Sequence, residues 1–363
     1  MPPPTSTVSS AEAAAKRALA REAAAEAGYE SLVATSAATV RWLLCGRGRP
    51  VSSSSPAADY TVVLTPDEAV VLFPDIEASR VEAEERFEEI GFQSLPFPWH
   101  EGSTAVVEEL VGGHASLRDS ELETWIAPGR RQLGPEELDR FRAGGKDVAK
   151  TMVESIYALH PEMAERDVAA DLASRLRRRG FFPPVVLVAG EERQPIHRHP
   201  LPTGAPLGRH ALLAVTAERE GLHVSMTRLV SFGPASAELR NLARKVSFVD
   251  AATLGASRPG RTLGQVFARI EEAYAAHGFP GEWRRHHQGG LTGYIGREVF
   301  ATPGDPTPIP DSAAVAWNPS ITGGAKSEDT ALVSEGPIEV ITRTPELREF
   351  NFGILPRPDI VEL

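Results

Sequence analysis

The sequence predicts an α/β protein of the α+β kind, in two domains over 1–133 and 134–363. Three observations carry this. Before residue 134, short apolar runs alternate with helical stretches, the pattern of a small α/β domain. After it, a helix–helix–strands unit is written twice, which predicts a pseudo-twofold domain with paired helices packed outside a shared sheet. A length of 363 residues with 42% hydrophobic content suffices to bury a core in each domain.

In chain order, residues 11–27 are rich in Ala, Glu and Arg, with Gly28 just beyond them: a helix and its stop. Apolar runs at 31–35, 40–44, 60–65 and 69–73 read as strands, separated by turn signals at 46–56 and at Thr65-Pro66-Asp67. Residues 77–90 return to a helical pattern, whose acidic run at 82–89 reads as a solvated face. The stretch 128–135, with Gly129 and Gly134, marks the domain boundary.

The repeat follows. Glu137-Leu138 opens a helix, Pro161 breaks it, Val168 lies seven residues on, and Gly180-Phe181 stops a second helix. Glu238-Leu239, Pro259, Val266 and Gly278-Phe279 repeat this, with a Pro-to-Gly spacing of nineteen in both copies. A strand-rich stretch follows each: 184–216 leading to Val230, then 291–300 leading to 340–342.

Composition narrows function. A net charge of −11 argues against general binding to nucleic acid or anionic membranes. The basic run 175–179 ends a helix, where cations suit the helix dipole. No apolar run reaches membrane-span length, and the opening Met1-Pro2-Pro3-Pro4 leads into no apolar signal region, so a cytoplasmic location is expected. The single cysteine, Cys45, lies in a strand-like apolar run and is expected to be a buried, inert thiol.

Several motifs resemble the "pita-bread" superfamily of Xaa-Pro aminopeptidases, prolidases, methionine aminopeptidases and creatinase. The run from Tyr29 to Thr35 and then Val40-Arg41-Trp42-Leu43-Leu44 resembles the opening of the creatinase-type N-terminal domain. Gly221, Thr227 and Arg228 resemble the Gly and Thr-Arg of the family's aspartate hairpin. His286-His287-Gln288-Gly289-Gly290, followed by Gly293 and Glu298, resembles its Gly-rich histidine strand. Trp317-Asn318-Pro319 resembles its Ile-Glu-Pro, and residues 324–330 its last metal-ligand strand. The resemblance implies a creatinase-like N-terminal domain, a pita-bread C-terminal domain and a homodimer.

The family's peptidases hold two divalent metals with two aspartates, a histidine and two glutamates. Carried over by residue, these positions fall on Ala214, Ser225, Gly290, Asn318 and Glu328, so only Glu328 keeps its carboxylate. The hairpin 211–228 contains no aspartate. One carboxylate cannot balance two dications, so no metal and no other cofactor are expected at the ancestral position. The family's second histidine falls on Arg297, suited to a carboxylate or phosphate ligand or to a plain salt bridge, and its arginine falls on Lys326.

His197 falls where creatinase, which works without metal, keeps an acid/base histidine. His197 and Glu328 are therefore the expected catalytic pair, with His199, His287, Arg297, Lys326 and Asn318 lining the pocket. The expected function is metal-independent hydrolysis or elimination on a small amide, amidine or peptide-like substrate. Two alternatives stay open: a non-catalytic descendant that binds a peptide, small ligand or protein, and a metallo-aminopeptidase with an atypical site. His197, His199, His286 and His287 also raise a relocated single-metal site. Neighbours on a strand face opposite ways, which weakens a His286/His287 pair, whereas His197 and His199 would share a face. Gly289, Gly290 and Gly293 read as close backbone approach, and Trp317 as core.

Overall fold

The structure is a computed structural model that describes residues 9–52, 55, 57–353 and 355–363. The opening Met1-Pro2-Pro3-Pro4, and Ser53, Ser54 and Pro56 of the 46–56 turn, lie outside the described residues. Contacts divide the chain into two compact units, one of Met1–Glu136 with Glu220–Leu222, the other of Glu137–Arg219 with His223–Leu363. Among the described residues no helix is long and apolar enough to cross a membrane.

In the first unit, helix α1 (Ser10–Glu26) starts at Ser9, whose Oγ accepts the Glu12 N–H at 3.1 Å. It ends before Gly28, which takes φ +87°. Strands β1 (Ser31–Ser36), β2 (Ala57–Leu64), β3 (Ala69–Pro74), β4 (Gln93–Phe97) and β5 (Ser116–Arg118) form one sheet, ordered β4-β3-β2-β1-β5. Val33, Val63, Val70 and Leu72 of that sheet pack on Val107 and Val111 of helix α4 (Thr104–Val111).

Two stretches of this unit depart from the sequence reading. Residues 40–44 fall largely in a helix, α2 (Ala37–Leu43), not a strand. Ser36 accepts the Thr39 N–H and starts that helix, and burial of Val40, Trp42 and Leu43 erases its amphipathic period. Cys45 follows it at φ +54°, buried. Residues 77–90 hold only a single α-turn, α3 (Ala78–Arg80), between 3-10 and π turns, with Arg86 at φ +46°. Glu85 within it faces inward and accepts the N–H groups of Gly48 and Arg49 at 2.7 and 3.1 Å, so that face is not wholly solvated. Much of the 128–135 stretch is helical, since α5 (Asp119–Trp125) is followed by α6 (Ala127–Arg131) and Pro135 opens the next helix.

The second unit shows the repeat. Helices α7 (Pro135–Ile156) and α8 (Glu165–Arg178) precede strands β6 (Phe182–Gly190), β7 (His210–Arg219) and β8 (Leu222–Ser231). Helices α9 (Ala237–Ala256) and α10 (Leu263–Ala276) precede β9 (Gly289–Thr292), β10 (Val299–Phe300) and β11 (Ala313–Trp317). Both second helices close alike. The Phe181 N–H donates to the Leu176 carbonyl at 3.1 Å, the Phe279 N–H to the Tyr274 carbonyl at 2.9 Å, across Gly180 and Gly278 at φ +81° and +85°. Val168 and Val266 are buried in step.

Two short strands, β12 (Ser320–Ile321) and β13 (Ala325–Lys326), lead into β14 (Asp329–Val333) and β15 (Glu339–Val340). After β16 (Glu349–Phe350) and β17 (Arg357–Pro358), the chain ends in β18 (Val361–Glu362). The main sheets run β18-β8-β7-β6 and β10-β9-β11-β14-β15. An antiparallel bridge between Thr227 and Glu328 stitches them together, with the Thr227 N–H donating to the Glu328 carbonyl at 3.0 Å. The helix pair α9–α10 covers the second sheet through Val246, Val249, Phe267 and Ile270, packed with Val315, Trp317 and Ala331.

Candidate functional site

Strand alternation builds the centre of the site. From Lys326 to Glu328 and on into β14, successive side chains point to opposite faces. Lys326 and Glu328 line a cavity of about 530 Å³ in the second unit. Ser327 and Asp329 point the other way: Ser327 Oγ donates to Asp250 at 2.5 Å, and Asp329 pairs with Arg228 at 3.0 Å and with Arg357. Arg297 enters from the turn before β10, where Glu298 Oε1 accepts the N–H groups of Tyr294 and Ile295.

Glu328 Oε1 meets Arg297 Nη2 at 2.9 Å, and Oε2 meets Lys326 Nζ at 3.2 Å while accepting the Thr227 hydroxyl at 2.7 Å. The three charged side chains are 9% exposed or less. Burial alone would raise the Glu328 pKa, but the two cations and the Thr227 hydroxyl hold it below its ordinary value, so it stays ionised. Arg297 Nη1 also donates to Ser225 Oγ at 3.2 Å, which is within 2.9 Å of Thr216 Oγ1.

The five positions to which the resemblance assigns two metals do not fit them. Ala214 lines the cavity without a donor atom. Ser225 Oγ is engaged by Arg297 and Thr216. A Cβ on Gly290 would lie 2.1 Å from the Val299 carbonyl oxygen, and its φ of +152° suits glycine, so β10 closes the place of the histidine to any side chain. Asn318 offers a neutral amide, and the Glu328 carboxylate is taken up by two cations and a hydroxyl. A guanidinium and an ammonium thus bring to Glu328 the positive charge that metal ions would bring.

The expected site residues divide. Glu328, Lys326, Arg297, Asn318, His199 and His287 all line the one cavity. His197 does not: it is exposed, in a turn where its N–H donates to the Arg193 carbonyl at 3.1 Å. His199, two residues on, stands at the cavity instead, because the segment is not extended and the two imidazoles do not share a face. His286 and His287, expected to point apart, have ring centroids only 4.5 Å apart. They follow a 3-10 turn (Glu282–Arg285) and precede β9, so strand alternation does not apply. Their rings lie 4.7 and 5.5 Å from that of His199.

Burial lowers the pKa of all three imidazoles, with Lys326 adding to it in each and Arg297 only for His199 and His287, so the neutral forms are favoured near pH 7. His199 is lowered, His287 falls to about 4 and His286 to about 2. Asn318 Oδ1 and Arg297 Nε are buried without a hydrogen-bond partner among the described residues. Trp317 is core, its Nε1 donating to Ser257 Oγ at 2.9 Å. The apolar wall had gone unread in the sequence: Val185, Ile295 and Phe300 are 40, 37 and 50% exposed and line the cavity with Leu187 and Val215. The only sequence signal for them is apolar residues in short strands and turns, which core positions share.

Residues 139–335 match the profile of metallopeptidase family M24. Among solved structures, the dipeptidase PepE of Mycobacterium ulcerans is similar, with a TM-score of 0.73 at 18% identity, covering 98% of this chain and 100% of that one. A prolidase from Pyrococcus horikoshii OT3 has a TM-score of 0.73 at 15% identity, covering 91% and 98%. The N-terminal domain of the FACT complex subunit SPT16 from Cicer arietinum has a TM-score of 0.66 at 10% identity, covering 93% and 97%. No curated protein matches the sequence. At these identities the likeness is one of fold, the pita-bread architecture.

Proposed function

Since the chain belongs to metallopeptidase family M24, we propose that it is a hydrolase- or lyase-type enzyme for a small peptide-like amide that works without the two-metal centre. One observation carries this reading. The cavity is lined by Asn318, whose Oδ1 is buried without a hydrogen-bond partner among the described residues, and by the cations Lys326 and Arg297. An amide offers the complement, an N–H for the acceptor and a carbonyl for the cations. The carbonyl gains charge as it is attacked, so donors held in place by the Glu328 ion pairs favour the transition state over the ground state. The apolar wall of Val185, Ile295 and Phe300 takes the substrate's side chain.

In this reading Glu328 holds Arg297 and Lys326 in place; water attacks the carbonyl and gives its proton to the neutral imidazole of His199, which returns it to the amine nitrogen as the C–N bond breaks, the role first expected of His197. The homodimer belongs to the same proposal. A second reading, ligand binding without turnover, is favoured by the full engagement of the Glu328 oxygens, which leaves no carboxylate to activate water.

A panel of dipeptides and small amides, assayed with chelator-treated protein, separates these readings. Turnover is expected to persist in chelator and to fall about 100-fold or more in His199→Ala. Lys326→Met is expected to lower kcat with less effect on KM. Binding without turnover in any condition selects the second reading. Turnover that appears only with two equivalents of manganese or cobalt overturns both.

A further inference from the structure

We propose that His199, His286 and His287 form a site for one late first-row divalent ion, of which Zn²⁺ is the type. The site is distinct from the family's dinuclear position, since it uses none of Ala214, Ser225, Gly290, Asn318 or Glu328. It stands on the imidazole geometry alone and does not depend on the proposed reaction.

Each of the three side chains offers a ring nitrogen, and these atoms all lie within 4.8 Å of one another. His286 Nε2 and His199 Nε2 are 2.9 Å apart. Two imidazole lone pairs cannot face each other at that distance; a proton or a cation must lie between them. A third imidazole, His287, converges on the same place, one more ring than a shared proton needs. Tetrahedral coordination with metal–nitrogen bonds of about 2.0–2.1 Å puts ligand nitrogens roughly 3.3 Å apart. The present spacing reaches that by side-chain rotation. His199 and His287 are exposed enough to rotate, whereas His286, 9% exposed, is the fixed point. Its Nδ1 is buried without a partner among the described residues, so no hydrogen bond to protein holds that nitrogen in one role.

The donor set chooses the class of ion. Three neutral nitrogens without thiolate or carboxylate suit zinc, cobalt, nickel or copper and not the oxygen-seeking magnesium or calcium. His199 and His287 also line the cavity, so the fourth coordination position opens onto it. Lys326, Arg297 and Glu328 together leave one net positive charge at the cavity. That charge opposes a bare dication and favours an anion, hydroxide or a carboxylate, in the open position. Binding of the ion takes the His199 lone pair, so an ion here and the proposed proton transfer exclude one another.

Titrating Co²⁺ into untagged, chelator-treated protein reads the site without any substrate. One equivalent with strong tetrahedral visible bands, displaced by Zn²⁺, is the expected result. His199→Ala and His287→Ala are expected to weaken binding by about 100-fold or more. His197→Ala leaves it unchanged. His286→Ala is informative only if circular dichroism shows a folded protein, which is why the two exposed positions carry the test. No saturable Co²⁺ binding, binding indifferent to both exposed substitutions, or binding lost in His197→Ala would each overturn the assignment.

Discussion

Glu328 is the carboxylate on which the site turns. It is 4% exposed, between a guanidinium and an ammonium, with the Thr227 hydroxyl on one oxygen. Removing its charge leaves two buried cations uncompensated. Glu328→Gln should therefore cost about 3–5 kcal/mol of stability at neutral pH, read by denaturant unfolding. The pH dependence has a definite sign. The folded pKa lies below the ordinary value, so the contribution is complete above the usual carboxylate range and is lost as pH falls through the lowered value. The variant should accordingly show a flatter loss of stability on the acid side. An unchanged acid limb would mean that the ion pairs contribute nothing. His199 teaches the complementary lesson. Its residue type was legible, but its distinction from His197 rests on the turn at 193–197, after which only the His199 side chain lines the cavity.

At the scale of elements, signals tied to backbone geometry were the readable ones. Gly180 and Gly278 stop α8 and α10, and the nineteen-residue Pro-to-Gly spacing that announced the repeat marks matching turns in the structure. Residues 40–44 were misread because a short helix buried on every side from Thr39 to Leu43 has no solvent face to reveal its period. The glycines of β9 were read as close backbone approach, and they are that. A Cβ on Gly289 would lie 2.1 Å from the Ala316 carbonyl oxygen, as one on Gly290 would from that of Val299. Gly290→Ala should cost about 2–3 kcal/mol through overpacking, measured by thermal or denaturant unfolding. A neutral effect would show that β10 yields easily, and that the histidine position is open after all.

At the scale of the whole chain, the C-terminal segment reaches back to support the site. β18 pairs in parallel with β8, and Arg357 is fully buried between Asp250 and Asp329. Asp329 also holds Arg228, and Asp250 accepts the Ser327 hydroxyl, so the face of the strand turned away from the cavity is pinned where Lys326 and Glu328 begin to face it. Arg357→Met should destabilise the protein by about 3–5 kcal/mol, because two buried carboxylates lose their shared cation. In thermal unfolding this appears as a lower midpoint, and an unchanged midpoint would remove the segment from the support of the site. Nothing local in the sequence pairs Arg357 with residues 107 and 28 positions away.

The amino-acid sequence by itself determined the family architecture and the duplicated unit, and it shows a carboxylate at only one of the five positions to which the resemblance assigns metal ligands, because helix stops, glycine positions and residue types are properties of single residues and short spacings. Tertiary structure alone decided that Arg297 and Lys326 take up the Glu328 carboxylate, that β10 closes the space a side chain at 290 would need, and that three imidazoles from two segments converge. Those outcomes depend on contacts between residues far apart in the chain, where burial and charge act through space and leave no periodic trace.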